Sequence, residues 1–144
     1  GVQLWVQPLD GAPRAFTPEG MDTLAVASPD GARVAGIASD RRVRLYFVDG
    51  AAPVEPPGLA PGEVPIAFSD DGRALFVYRV GETPAHVARV DLSTGERAPL
   101  AELAPADRAG LVAISRVLVT PRGDAWAYRY FRALSDLYLV DGMQ

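Results

Sequence analysis

Ser28-Pro29-Asp30-Gly31, Ser69-Asp70-Asp71-Gly72 and Thr120-Pro121-Arg122-Gly123 each stand immediately before an apolar stretch, and their recurrence decides the fold. The first two copies start 41 residues apart and the last two 51 apart. A second motif keeps step: Leu4-Trp5-Val6-Gln7-Pro8, Leu45-Tyr46-Phe47-Val48-Asp49, Val87-Ala88-Arg89-Val90-Asp91 and Leu137-Tyr138-Leu139-Val140-Asp141, at spacings of 41, 42 and 50 residues. Two signals sharing one period predict an all-β chain built as a β-propeller from four-stranded antiparallel blades. Blades of roughly 40–50 residues make this length a partial propeller, an arc of about three and a half blades.

Each repeat reads as strands a to d. Strand a precedes the Ser/Thr-x-x-Gly turn, at Thr23–Ala27, Val64–Phe68 and Val117–Val119. Glycine suits such a hairpin because it accepts positive φ without a Cβ clash. Strand b follows at Ala32–Ala38, Ala74–Val80 and Ala125–Phe131, and strand c is the Leu-aromatic motif. Strand d is the weakest, at Pro13–Thr17, Ala52–Glu55 and Arg97–Leu103. Pro53, Pro56 and Pro57 restrict the second of these to a sheet edge. The single expected domain, 1–144, therefore divides into strands c-d at 1–17, blades at 22–59 and 63–103, and strands a-b-c at 111–142. Between the last two, Pro105 and Gly110 predict one helical turn in a surface excursion. Blades pack face to face, so an arc leaves apolar end faces to be covered by more chain or by a second copy, a homodimer completing the ring.

Composition narrows the function classes. The net charge of −4 gives no electrostatic reason to expect nucleic acid. The one dense basic stretch, Arg41-Arg42-Val43-Arg44, follows Asp40 and reads as a solvated turn and strand start. There is no cysteine, which excludes disulfides and thiolate chemistry. No apolar run approaches the ~20 residues that span a bilayer, so direct membrane insertion is not expected.

The residues offer little for catalysis. One histidine, His86, stands outside any Gly-x-Ser-x-Gly elbow and reads as a strand-end residue. One histidine and no cysteine leave no ordinary zinc site, and Asp70-Asp71-Gly72 reads as a hairpin turn rather than a calcium loop. Asp30, Asp49, Asp71, Asp91 and Asp141 read as turn-capping carboxylates. Trp5, Tyr46 and Tyr138 recur in one register and predict packing between blades. Trp126, Tyr128 and Tyr130 alternate on one face of a strand, with packing against the neighbouring blade as the first expectation and an exposed stacking ladder as the second. No catalytic, cofactor or metal residue is assigned, and the expectation is a non-enzymatic module for a protein or peptide partner. The alternative is an accessory propeller of a peptidase-like hydrolase whose catalytic residues lie outside this chain.

Ser-Pro-Asp-Gly before an apolar strand, followed by Leu-Tyr-x-Val-Asp, resembles the TolB-like or WD40-like PD40 propeller repeat. The match runs over nearly the whole chain, with Arg122 standing where the pattern has Asp. A narrower resemblance joins Leu118–Asp124, Ala127-Tyr128 and Leu134–Gly142 to the carboxyl end of propellers fused behind bacterial eukaryotic-like serine/threonine kinases, Val90–Gly95 and Pro105–Asp107 to their preceding blade, and Leu4–Gly11 to one of their interior repeats. That resemblance implies a sensor or interaction part of a larger signalling protein, facing the extracytoplasmic side of the membrane. It brings no kinase residues: there is no glycine-rich phosphate loop, His-Arg-Asp or Asp-Phe-Gly.

Overall fold

The structure is a computed structural model that describes residues 2–21 and 24–135. It is all-β, with four antiparallel sheets in chain order. The first sheet pairs β1 (Trp5–Val6) with β2 (Arg14–Ala15). The second runs β3 (Ala25–Ala27), β4 (Arg33–Ile37), β5 (Val43–Phe47), and its fourth position holds a single bridge, Leu45 to Val54. Prolines on both sides of Val54 explain that brevity, since they remove ladder donors. The third sheet is four-stranded: β6 (Glu63–Phe68), β7 (Ala74–Arg79), β8 (Ala85–Asp91) and β9 (Arg97–Leu103). The fourth pairs β10 (Leu111–Val119) with β11 (Trp126–Arg132). The strand expected at Leu137–Asp141 lies outside the described residues.

Two expectations need correction. No helical turn forms between Pro105 and Gly110; the chain makes a bend and a turn there instead. The Asp107 carboxylate accepts the Ala109 N–H at 2.9 Å and pairs with Arg132 of β11 at 3.1 Å, which fixes the excursion without helical hydrogen bonds. Trp5 does not pack between blades. It is 59% exposed, whereas Tyr46 in the same register is buried, because the first sheet has only two short strands to cover it. β10 also begins six residues before the expected Val117, with two register shifts that absorb Val112 and Ser115.

The core sits between sheets. Ala74, Leu75, Phe76, Val77 and Tyr78 of β7 are all buried, so this strand is covered on both faces and reads as an uninterrupted apolar run. Ile114 and Val117 from β10 and Val43 and Leu45 from β5 join the same cluster. β11 is covered on one side: Trp126 and Tyr128 pack against the core, while Tyr130 and Phe131 stay exposed. The ladder thus divides between the two expectations. The first strands of successive sheets, β3, β6 and β10, lie beside one another and line a cavity of about 220 Å³.

The three Ser/Thr-x-x-Gly turns share one geometry. The glycine N–H donates to the Ser28, Ser69 and Thr120 carbonyls at 2.9, 2.9 and 2.8 Å, with φ of 69, 67 and 73°. Ser28 Oγ donates to Asp30 and Ser69 Oγ to Asp71, each at 2.5 Å. Those carboxylates also accept the backbone N–H two residues on, at 3.0 Å. In the third turn Arg122 occupies the acid's position, and Asp124 replaces the acid from two residues further on. Thr120 Oγ1 donates to Asp124, and Arg122 pairs with it at 3.1 Å. The hydroxyl–carboxylate and glycine–carbonyl bonds are kept, while the Asp124 N–H donates to Thr120 Oγ1 at 3.2 Å instead of to a carboxylate.

These carboxyls titrate below their ordinary range because hydrogen bonds favour the charged form: Ser28 foremost on Asp30, Ser69 on Asp71 and Thr120 on Asp124. Asp91, in the β8–β9 turn, is lowered furthest, chiefly by Ser93. A carboxyl with a folded value below its unfolded one adds stability above the unfolded value and loses it as pH falls through the folded one. The thermal midpoint is therefore expected to change little from neutral pH to about 5 and to fall below about 4. Thermal unfolding across that range checks it, and Asp71→Asn shallows the acid limb.

Candidate functional site

A cleft of about 610 Å³ opens between the second and third sheets. Its walls come from the β4–β5 hairpin, the loop entering β6 and the end of β7. Met21, Ile37, Val64 and Val80 form the apolar part, and Arg41 and Arg79 are cationic residues lining it from the two sheets. Its volume falls in the range of ordinary ligand sites, about 300–1,000 Å³.

Local sequence builds each wall. The hairpin closes with Arg41 N–H to Ala38 O and Ala38 N–H to Arg42 O, both 2.9 Å. This puts Arg41 at φ 64°, where it is the single non-glycine residue of positive φ among the described residues. Its carbonyl accepts the Gly62 N–H at 3.2 Å, tying the hairpin to the loop that enters the next sheet. The basic stretch noted in the sequence divides here. Arg42 pairs with Glu55 and Arg44 with Asp40, which leaves Arg41 with no ion pair among the described residues. Arg79 pairs with Glu82 at 3.3 Å.

Glu63 stands at the base of the cleft and is buried. Its carboxylate accepts the Ala60 N–H at 2.8 Å and two guanidinium hydrogen bonds from Arg97, at 2.7 and 3.1 Å. Those bonds raise the Arg97 guanidinium further above its already high ordinary value. Arg97 also donates to Gly58 O at 2.6 Å, so one side chain fastens β9, the start of β6 and the connecting loop. The loop packs closely: a Cβ on Gly58, whose φ is +77°, would lie 2.3 Å from the Gly95 carbonyl oxygen.

His86 faces Glu82 at 3.6 Å and Glu102 at 4.0 Å and is 64% exposed along its side chain. Among the described residues no group of three or more His, Cys, Asp or Glu is placed to hold a metal ion. Asp70 and Asp71 belong to the hairpin, where the Asp70 N–H reaches Pro121 O of the next sheet at 3.2 Å. None of the cleft's polar residues was marked as a site by the sequence. Arg41 is legible only as part of a charge run, because its left-handed backbone and the loss of its neighbours to Glu55 and Asp40 are tertiary facts.

No protein-family model matches the chain, and no curated protein matches it. Among solved structures it is similar to TolB from Acinetobacter baumannii, with a TM-score of 0.52 and 15% identity over 90% of this chain. The fold is thus a TolB-like propeller arc. The chain spans 40% of the length of that TolB chain. Among the described residues no helix is long and apolar enough to cross a membrane.

Removing Arg97 leaves the buried Glu63 carboxylate with one donor. Arg97→Met is expected to destabilise by about 3 kcal/mol, and the double variant with Glu63→Gln by less, as read from denaturant unfolding. Gly58→Ala is expected to lower the thermal midpoint more than Gly81→Ala. Both glycines have positive φ, but the space beside Gly81 is open.

Proposed function

We propose that this chain is a non-catalytic binding and scaffold module that recognises a protein or peptide partner as part of a larger propeller. The observation that carries this reading is the inter-sheet cleft. It offers apolar walls and cationic residues, and its one acid is paired with Arg97 and accepts the Ala60 N–H. Such a site holds a ligand without a poised nucleophile and base beside it.

The similarity to TolB supports the fold of this reading, and the repeats at Val90–Gly95 and Leu118–Gly142 support its finer form. In that form the module is a sensor or interaction part of a bacterial kinase-like signalling protein, displayed on the extracytoplasmic side. Val112 and Phe131 on the fourth sheet and Trp5 on the first are all more than half exposed. These apolar positions fit further blades packed against both ends, from a longer parent chain or from a second copy.

A displayed peptide library panned against the folded chain is the test. An enriched consensus whose synthetic peptide binds the folded chain in solution is the expected result. A featureless pool, or turnover of hydrolase probes by the chain itself, overturns the reading.

A further inference from the structure

We propose that the cleft between the second and third sheets is a carboxylate site, with Arg41 as its principal anchor and Arg79 as its second, taking a single carboxylate that carries a short apolar group. This rests on the binding-module reading above and names the chemistry of its site.

Three independent features converge on Arg41. Its backbone lies at φ 64°, a conformation that glycine adopts freely and an Arg side chain does not favour. What distinguishes Arg from Gly at that position is the guanidinium, and Arg41 is one of the residues that line the cleft. The acids that would neutralise it locally are occupied: Asp40 by Arg44 and Glu55 by Arg42. Glu63, the acid inside the cleft, has its charge matched by Arg97 and also accepts the Ala60 N–H.

The second cation is placed by the neighbouring sheet. Arg79 Nη1 lies 3.7 Å from where a Cβ on Gly62 would stand, and the Gly62 N–H is bonded to the Arg41 carbonyl. Gly62 therefore sits between the two arginines. Because Arg79 is already shared with Glu82, the cleft carries roughly one uncompensated positive charge. That matches a monoanion better than a phosphate dianion. Met21, Ile37, Val64 and Val80 add apolar walls that suit a branched alkyl group beside the charge.

A chain-terminal carboxylate of a peptide and a free short-chain acid share this chemistry. The probes are N-acetyl-Ala-Leu with a free carboxylate, its carboxamide twin, and 4-methylpentanoate, each titrated into the full chain and followed by amide and guanidinium Nε NMR shifts. The expected result is shifts at Arg41, Gly62, Val64, Arg79 and Val80, with the carboxamide weaker by about tenfold or more. Arg41→Gly is expected to weaken the free acids by a similar factor without lowering the thermal midpoint, since glycine relieves the backbone. Arg79→Gln weakens them too, and Arg122→Gln, on an exposed turn, leaves them unchanged. Tighter binding of the dipeptide than of 4-methylpentanoate identifies a peptide terminus; equal binding identifies a free acid; both uphold the site. Equal binding of acid and carboxamide, shifts elsewhere, or an unaffected Arg41→Gly overturns it. A peptide consensus that binds outside the cleft overturns the carboxylate site while leaving the binding-module reading intact.

Discussion

A propeller sheet has two apolar faces and one way to bury both, which is to lie between two other sheets. The rest of this structure follows from that constraint. β7 satisfies it fully, and its five consecutive buried residues show no alternation because there is no solvent side to alternate toward. β11 satisfies it on one face, so Trp126 and Tyr128 find the core while Phe131 does not. Burial is therefore a property of position in the arc as much as of residue type.

Contact between sheets is fastened by a few polar bonds that cross the apolar seams. Arg14 donates to Val48 O, Arg33 to Gly72 O at 2.9 Å, and the Asp70 N–H to Pro121 O at 3.2 Å. Arg33 also lies over the Phe68 ring, 5.6 Å from its centre, so one side chain serves both the seam's apolar and polar parts. Each link joins a sheet to the next one in sequence. Hydrophobic burial sets that the sheets stack, and these directional bonds set how they are oriented on one another. The cleft exists because of that orientation: the Arg41 hairpin and the end of β7 both meet Gly62.

Much of the fold was legible because local chemistry repeats. Serine or threonine, a carboxylate and a glycine announce a hairpin wherever they occur at the right spacing, and the Leu-aromatic strand follows at a fixed interval. The bounds of β9 and the bridge at Val54 follow from patterning and from proline. The early start of β10 was hidden by Ser115 and Arg116, which look like a strand boundary, although Ser115 is a bulge and Arg116 stays in register with Arg129. The helical turn at Pro105 failed because Arg132, distant in sequence, supplies Asp107 with a better partner. Trp5 failed because a register argument says which residues share a face but not whether that face has a neighbour. The candidate site was illegible for a related reason. Arg41, Glu63, Arg79 and Arg97 come from four separate elements, and no spacing in the chain relates them.

The third turn shows what kind of information a repeat carries. Thr120, Asp124 and Gly123 close the same hairpin as Ser28, Asp30 and Gly31, with the acid moved two places along. The hydroxyl needs an acceptor within reach, and the backbone does not register which residue number brings it. Position 122, released from that duty, carries an arginine that the other two turns do not have. The alphabet of the repeat thus has synonyms. A comparison of letters column by column counts such a blade as a departure, while a comparison of the hydroxyl–carboxylate and glycine–carbonyl bonds counts it as the same word.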